Sequence, residues 1–194
     1  MNIAATNAAE GLPRRAFSVE DVSRMINAGV IREDEKFELV EGEIVMMAAK
    51  SLAHERIKSA LTIAVSRALP DDLTIGVETT LRLTDNTMLE PDVVVFPKQL
   101  FETSEPFVHL EPGDARLLIE VSVSSLAYDK GLKARLYARH RVREFWVIDA
   151  STRTTWTHSG PTEDGWSAIK EYGPNDRLTT PVLPGFSIRL GEMD

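Results

Sequence analysis

The sequence predicts an α/β domain whose core runs helix, strand, strand, strand, helix, strand. Continuous apolar runs of strand length occur at EPDVVVF, RLLIEVSV and REFWVIDA, residues 90–96, 116–123 and 143–150. Such runs mark strands buried on both faces. Two stretches with helical spacing, 51–69 and 128–140, flank them. The second helix separates the second and third runs, which implies a crossover between parallel strands.

The elements follow in order. Residues 1–14 are small, polar and proline-bounded, the composition of a flexible arm, which leaves 15–194 as one domain. FSVEDVSRMINAGV reads as a short helix capped by Ser18, with Val22, Met25 and Ile26 as its apolar stripe and Gly29 as its stop. KFELVEGEIVMMA reads as an N-terminal β-hairpin turning at Glu41-Gly42. Over 51–69, Ile57, Leu61, Ala64, Val65 and Ala68 recur at helical spacing, with Pro70 just past the end. LTIGVETTLRL is expected as one strand, with Asp85-Asn86 as its turn. KQLFETSEPFVHLEPGD is expected as an irregular connection. Leu132, Leu136 and Tyr137 carry the helix at 128–140. TRTTWTHSG and GWSAIKEY suggest a C-terminal hairpin around Pro161–Gly165, and PVLPGFSIRL is expected to close the chain as a strand. Trp156, Trp166 and Phe186 there either cap the core or mark a dimer face.

Composition narrows the function. The 194 residues include no cysteine, 22 Lys and Arg and 30 Asp and Glu, for a formal charge of −8. With 43% hydrophobic and 27% charged residues, this is the composition of an ordinary soluble globular protein. The lack of cysteine excludes a disulfide framework, a thiolate metal site and a cysteine nucleophile. No apolar run approaches the ~20 residues that cross a bilayer. No basic start followed by an apolar stretch opens the chain, so the expected location is the cytoplasm. The acidic balance weighs against indiscriminate binding to nucleic acid or membranes. Yet KGLKARLYARHRVR, residues 130–143, is a strip of six Lys or Arg without an acid.

Two acids sit inside the apolar runs. Asp92 lies between Pro91 and Val93, and Glu120 between Ile119 and Val121. An ionised carboxylate in a dry interior is costly unless a cation or metal compensates it. Each acid alone has an ordinary explanation, a strand end that faces water. On consecutive strands the two can reach one ion, and hard oxygen ligands suit Mg²⁺ or Mn²⁺. Lys133, on the following helix, can approach the end of the Glu120 strand. It competes with Lys130 for that role, and Asp129 offers it an ordinary i,i+4 ion pair instead. AHERIK, residues 53–58, begins like a zinc-protease helix but carries Lys58 where the second histidine belongs. Glycine-rich phosphate loops are absent.

EPDVVVF and IEVSVSSLAYDKGLKARLYARHRVREFWVID together resemble the Uma-two family of restriction endonucleases, in the PD-(D/E)XK nuclease superfamily. FELVEGEIVMM, His54 and LPGFSIRL extend the resemblance over residues 35–190. It implies a restriction-endonuclease-like core with a mixed sheet, to which the two hairpins are added. It makes Asp92 the acid of the Pro-Asp motif and Glu120 the acid of the next. The superfamily's lysine two residues later is replaced by Ser122, and Lys133 matches the lysine that the family takes from the following helix. Glu43 corresponds to the hairpin acid that completes the metal shell, with Glu41 and Glu38 as competitors. His54 polarises the water or contacts a phosphate, unless it only bonds its neighbours. The implied reaction is hydrolysis of DNA phosphodiesters by one or two Mg²⁺ ions, or Mn²⁺, on Asp92 and Glu120. The Val121 carbonyl is a further ligand, and Lys130, Arg135 and Arg139 make phosphate contacts. Two copies cutting two strands imply a homodimer. The competing reading is a catalytically silent member that binds nucleic acid or a protein partner, which Ser122 and the acidic charge favour. Hydrolysis of RNA is a second alternative.

Overall fold

In the computed structural model, which describes residues 15–32, 34–47, 49–102, 108–109 and 113–193, the arm expected at 1–14 lies outside the described residues. The first helix, α1 (Val19–Asn27), starts on a capping box: Ser18 Oγ accepts from the Asp21 N–H, and the Asp21 carboxylate accepts from the Ser18 N–H. Strands β1 (Phe37–Val40) and β2 (Glu43–Met46) form the expected hairpin. Its turn residues Glu41 and Gly42 have φ of 49° and 87°, the paired positive values of a tight turn matched to strand twist. Ser51 then caps α2 (Leu52–Ser66). Next come β3 (Leu73–Val77), β4 (Leu81–Thr84), β5 (Thr87–Leu89), β6 (Val93–Pro97), the short β7 (Val108–His109) and β8 (Leu117–Ser122). The second core helix is composite: α3 (Leu126–Tyr128), a π-helical turn over Asp129–Lys133, and α4 (Ala134–Arg139). Strands β9 (Glu144–Asp149), β10 (Thr155–Pro161) and β11 (Trp166–Tyr172) follow.

One sheet has the order β11-β10-β9-β8-β6-β3, and a second has the order β2-β1-β5-β4-β7. In the larger sheet β8 and β9 are parallel, joined by the α3–α4 crossover, while the other neighbours are antiparallel. The expected core is therefore present as α2, β3, β6, β8, α3–α4 and β9, with the sheet mixed. Its two faces follow from strand alternation. Val93 and Val95 of β6 and Leu117 and Ile119 of β8 pack toward Ile57, Leu61 and Val65 of α2. Val94, Phe96 and Leu118 face the other way, toward Leu136 and Tyr137 of α4 and toward Leu81 and Leu89 of the smaller sheet. No helix among the described residues is long and apolar enough to cross a membrane.

Two expectations are corrected. LTIGVETTLRL is not one strand. Glu78 adopts a φ of 49°, and the chain turns out of the larger sheet, where β3 pairs with β6, into the smaller one, where β4 pairs with β5. Asp85-Asn86 still forms the turn that follows. PVLPGFSIRL is not a strand either. Pro181 and Pro184 have no N–H to give a ladder, Gly185 has a φ of 82°, and a single bridge joins Leu178 to Ile188. The segment keeps its apolar role, since Leu183, Phe186 and Leu190 pack on the α2 side of the sheet. Phe186 lies 6.1 Å from the Trp146 ring, and Trp166 donates to the Ala134 carbonyl at 2.8 Å. Both cap the core.

Gly42 holds the hairpin against the segment before α1. A Cβ there would come within 2.6 Å of the Ala16 Cβ and 2.9 Å of its Cα, at a left-handed φ. Gly42→Ala is expected to cost about 1–3 kcal/mol, seen as a lower melting temperature in thermal denaturation.

Candidate active site

The register of β6 against β8 brings the two acids together. Val93 stands opposite Ile119, Val94 opposite Leu118 and Val95 opposite Leu117. Continued by one residue, the ladder sets Asp92 opposite Glu120. Directly opposed residues project from the same face, here the one shared with Val94, Phe96 and Leu118. The Val121 N–H donates to Asp92 Oδ2 at 2.8 Å and ties the two strand ends. Asp92 and Glu120 are 4% exposed each, and both line a cavity of about 320 Å³ together with Glu38, Lys50, His54 and Lys133.

Lys133 anchors one wall. Its Nζ lies 2.9 Å from Glu120 Oε1, 2.9 Å from Glu38 Oε1 and 3.8 Å from Asp129 Oδ1. The π-turn turns Asp129 and Lys133 inward, and both are buried. Turns of this kind recur at functional sites because they re-aim side chains within a helix. Ser122 and Ser125 donate to Asp129 Oδ2 at 2.7 and 2.6 Å. Tyr137 donates to Glu120 Oε1 at 2.9 Å, and Tyr128 to Glu38 Oε2 at 3.1 Å. Burial pushes the Glu120 carboxyl well above the ordinary range; Lys133 opposes that shift, and Asp129, Asp92 and Glu38 add to it. Burial alone would lower the Lys133 pKa, but Glu120, Glu38 and Asp129 outweigh it and hold the ammonium firmly protonated.

The opposite wall is built on Asp92. His54, in the first turn of α2, brings Nε2 to 2.9 Å from Asp92 Oδ2 and Nδ1 to 3.1 Å from Glu55 Oε1. Lys50 Nζ lies 3.0 Å from Asp92 Oδ1 and 2.9 Å from Glu78 Oε1. Burial would raise the Asp92 pKa, but the His54 bond and charge, the Val121 N–H and Lys50 together hold it below the usual value. Glu78 also meets Lys58. Burial raises it less than Lys58 and Lys50 lower it, and its pKa falls to about 2.

Of the residues expected at the site, Asp92, Glu120, Lys133, His54 and Val121 line the cavity. Glu43 does not. It is exposed at the turn end of β2, opposite Val40, and Glu38 is the hairpin acid that reaches the cluster. Within the hairpin, β1 places Glu38 between Lys133 and Tyr128. Lys130 is also excluded from the cavity; its Nζ sits 3.4 Å above the Trp156 ring. Arg135 and Arg139 are exposed on the outer side of α4, and Arg139 pairs with Glu41 at 3.0 Å. Lys50, Tyr128 and Tyr137 were not singled out for the site by sequence. For Tyr137 a signal exists, because it follows Lys133 by four residues on one helix face.

Lys133→Met leaves three buried carboxylates without their shared cation and is expected to cost about 3–5 kcal/mol. The loss has a pH signature. An acid whose folded pKa is raised, as for Glu120, binds more protons folded than unfolded, so stability falls as pH rises above the unfolded value. Without the opposing ammonium this effect grows. Denaturant unfolding should therefore show a larger deficit for the variant near about pH 7.5 than near about pH 5.

The comparisons follow the same lines. A crystal structure from Anabaena variabilis, described as "a putative nuclease belonging to DUF820", superposes with a TM-score of 0.72 over 91% of this chain and 97% of that one, at 14% identity. At that identity the likeness concerns the fold, which is the restriction-endonuclease-like one. No curated protein matches the chain. The family model Uma2, described as "Putative restriction endonuclease", matches residues 19–191. With nearly the whole described chain inside that match, the protein belongs to the Uma2 family.

Proposed function

We propose that the protein is a metal-dependent endonuclease hydrolysing DNA phosphodiester bonds, with Mg²⁺, or Mn²⁺ in its place, held between Asp92 and Glu120. The observation that carries this reading is the register that sets these two buried carboxylates opposite each other at the head of one cavity. The donor set fits a hard divalent cation that keeps most of its own water. Among the described residues no three His, Cys, Asp or Glu converge as metal ligands. Mg²⁺ needs no such cage, since it is usually held by one or two carboxylates, waters and substrate phosphates. Bound there, the ion would lower the pKa of a water and offset charge on the phosphoryl oxygens.

The chain's own residues supply the rest. Asp92, kept ionised by His54 and the Val121 N–H on its other oxygen, and Glu120 would hold the ion, with the Val121 carbonyl beside them. Lys133 steadies charge building on the phosphate and keeps Glu120 oriented through its bond to Oε1. Glu38 takes the part expected of Glu43, by holding Lys133 from the hairpin side. His54 orients Asp92 through its Nε2 contact with Oδ2. Arg135 and Arg139 contribute phosphate contacts at a distance from the cavity, which makes binding salt-dependent.

One observation favours the silent reading, a nuclease fold that binds without cutting: Lys50 and Lys133 already occupy the two carboxylates. A supercoiled plasmid incubated with Mg²⁺ or Mn²⁺ separates the two. The nuclease nicks it, and Asp92→Asn or Glu120→Gln lowers the rate by about a hundredfold or more. A homodimer acting on both strands yields linear product, and a parallel RNA substrate tests the ribonuclease alternative. Equal nicking by wild type and both variants, or none by any, contradicts the proposal.

A further inference from the structure

Lys50 stands at the cavity between two acids that are fixed relative to each other. Its Nζ is 3.0 Å from Asp92 Oδ1 and 2.9 Å from Glu78 Oε1. The other oxygen of Asp92 is taken, by His54 Nε2 at 2.9 Å and the Val121 N–H at 2.8 Å. Oδ1 is thus the Asp92 oxygen directed at a cation, and a lysine is on it. Glu78 is held beside Asp92 by the backbone, since its N–H donates to the Asp92 carbonyl at 3.2 Å. The left-handed φ of 49° at Glu78 sits where the chain leaves β3 and keeps the side chain on this side.

We propose that Lys50 is a built-in counter-ion of the metal site, holding Asp92 Oδ1 when no divalent cation is present and withdrawing onto Glu78 when one takes that oxygen. This rests on the metal reading above. An ammonium and a divalent cation repel each other strongly at contact with one carboxylate oxygen, so they exclude each other there. The four-carbon stem of lysine can swing its head group at little cost. Glu78 makes the exchange possible: the ammonium keeps one of its two carboxylates and is never stranded without a partner. The apo site is thereby charge-compensated, and metal affinity is set below what Asp92 and Glu120 alone would give. Lys36 serves as the internal control. It approaches Glu78 at 3.9 Å and Glu90 at 3.3 Å, is 62% exposed, and has no contact with Asp92.

Titration of the full-length protein with Mn²⁺, followed by the electron paramagnetic resonance signal of the free aqua ion, reads the exchange directly without any turnover. Lys50→Met and Lys50→Gln are expected to bind Mn²⁺ about tenfold more tightly than wild type. Lys36→Met should stay within about twofold. Asp92→Asn should lose the site. Asp92-dependent binding that is unchanged or weaker in both folded Lys50 variants overturns the counter-ion role and leaves the metal reading standing. Equal tightening in Lys36→Met also overturns it, because the effect is then diffuse charge. Absence of Asp92-dependent binding in every protein, the Lys50 variants included, overturns both.

Discussion

The antiparallel register between β6 and β8 is the constraint on which the site depends. A shift of one residue would turn every side chain of one strand to the other face. Here such a shift would send Asp92 into the apolar layer under α2. The register is held by burial on both faces: Val93, Val94, Val95, Leu117, Leu118 and Ile119 are fully buried. Each buried side chain of this size contributes roughly 1.5–3 kcal/mol against exposure. The carboxylates ride at the end of a ladder whose position is set by apolar packing.

The second requirement is compensation of charge. Asp92, Glu120, Glu38 and Asp129 are buried within one cluster, faced by the ammonium groups of Lys133 and Lys50 and by the His54 ring. Buried ion pairs of this kind add little net stability, because desolvation consumes most of the Coulombic gain. Their retention in an otherwise apolar sheet is what directs attention to chemistry. The π-turn belongs to the same logic. A regular helix over 126–139 would not have to widen at Asp129–Lys133, and the widening occurs where both residues turn toward the carboxylates.

Much of this was legible in the sequence, and the remainder had physical reasons to be hidden. Asp92 and Glu120 stood out because acids interrupt apolar runs. The choice of Lys133 over Lys130 needed the structure, since spacing cannot show that Lys130 finds the Trp156 ring. The resemblance pointed to Glu43 with Glu38 as a competitor, and the sequence could not choose between them because β1 is buried on both sides. Leu39 packs toward α1 and Val40 toward the main core, so no polar face marked Glu38 as the inward residue. Lys50 was invisible for another reason: its partner Asp92 lies 42 residues further along the chain. LTIGVETTLRL broke at Glu78, a residue whose positive φ no local pattern announced. PVLPGFSIRL kept the hydrophobicity of a strand but not the hydrogen-bond donors.

The proposed chemistry requires residues 92 and 120 to share one divalent cation. Crystals soaked in Mn²⁺ and measured at the manganese absorption edge test it most directly. A shared ion gives an anomalous peak at about 2.0–2.3 Å from a carboxylate oxygen of each residue, as hard-cation coordination requires, with Lys50 turned toward Glu78. A peak bound to neither acid, or a cavity without one at saturating Mn²⁺, contradicts it.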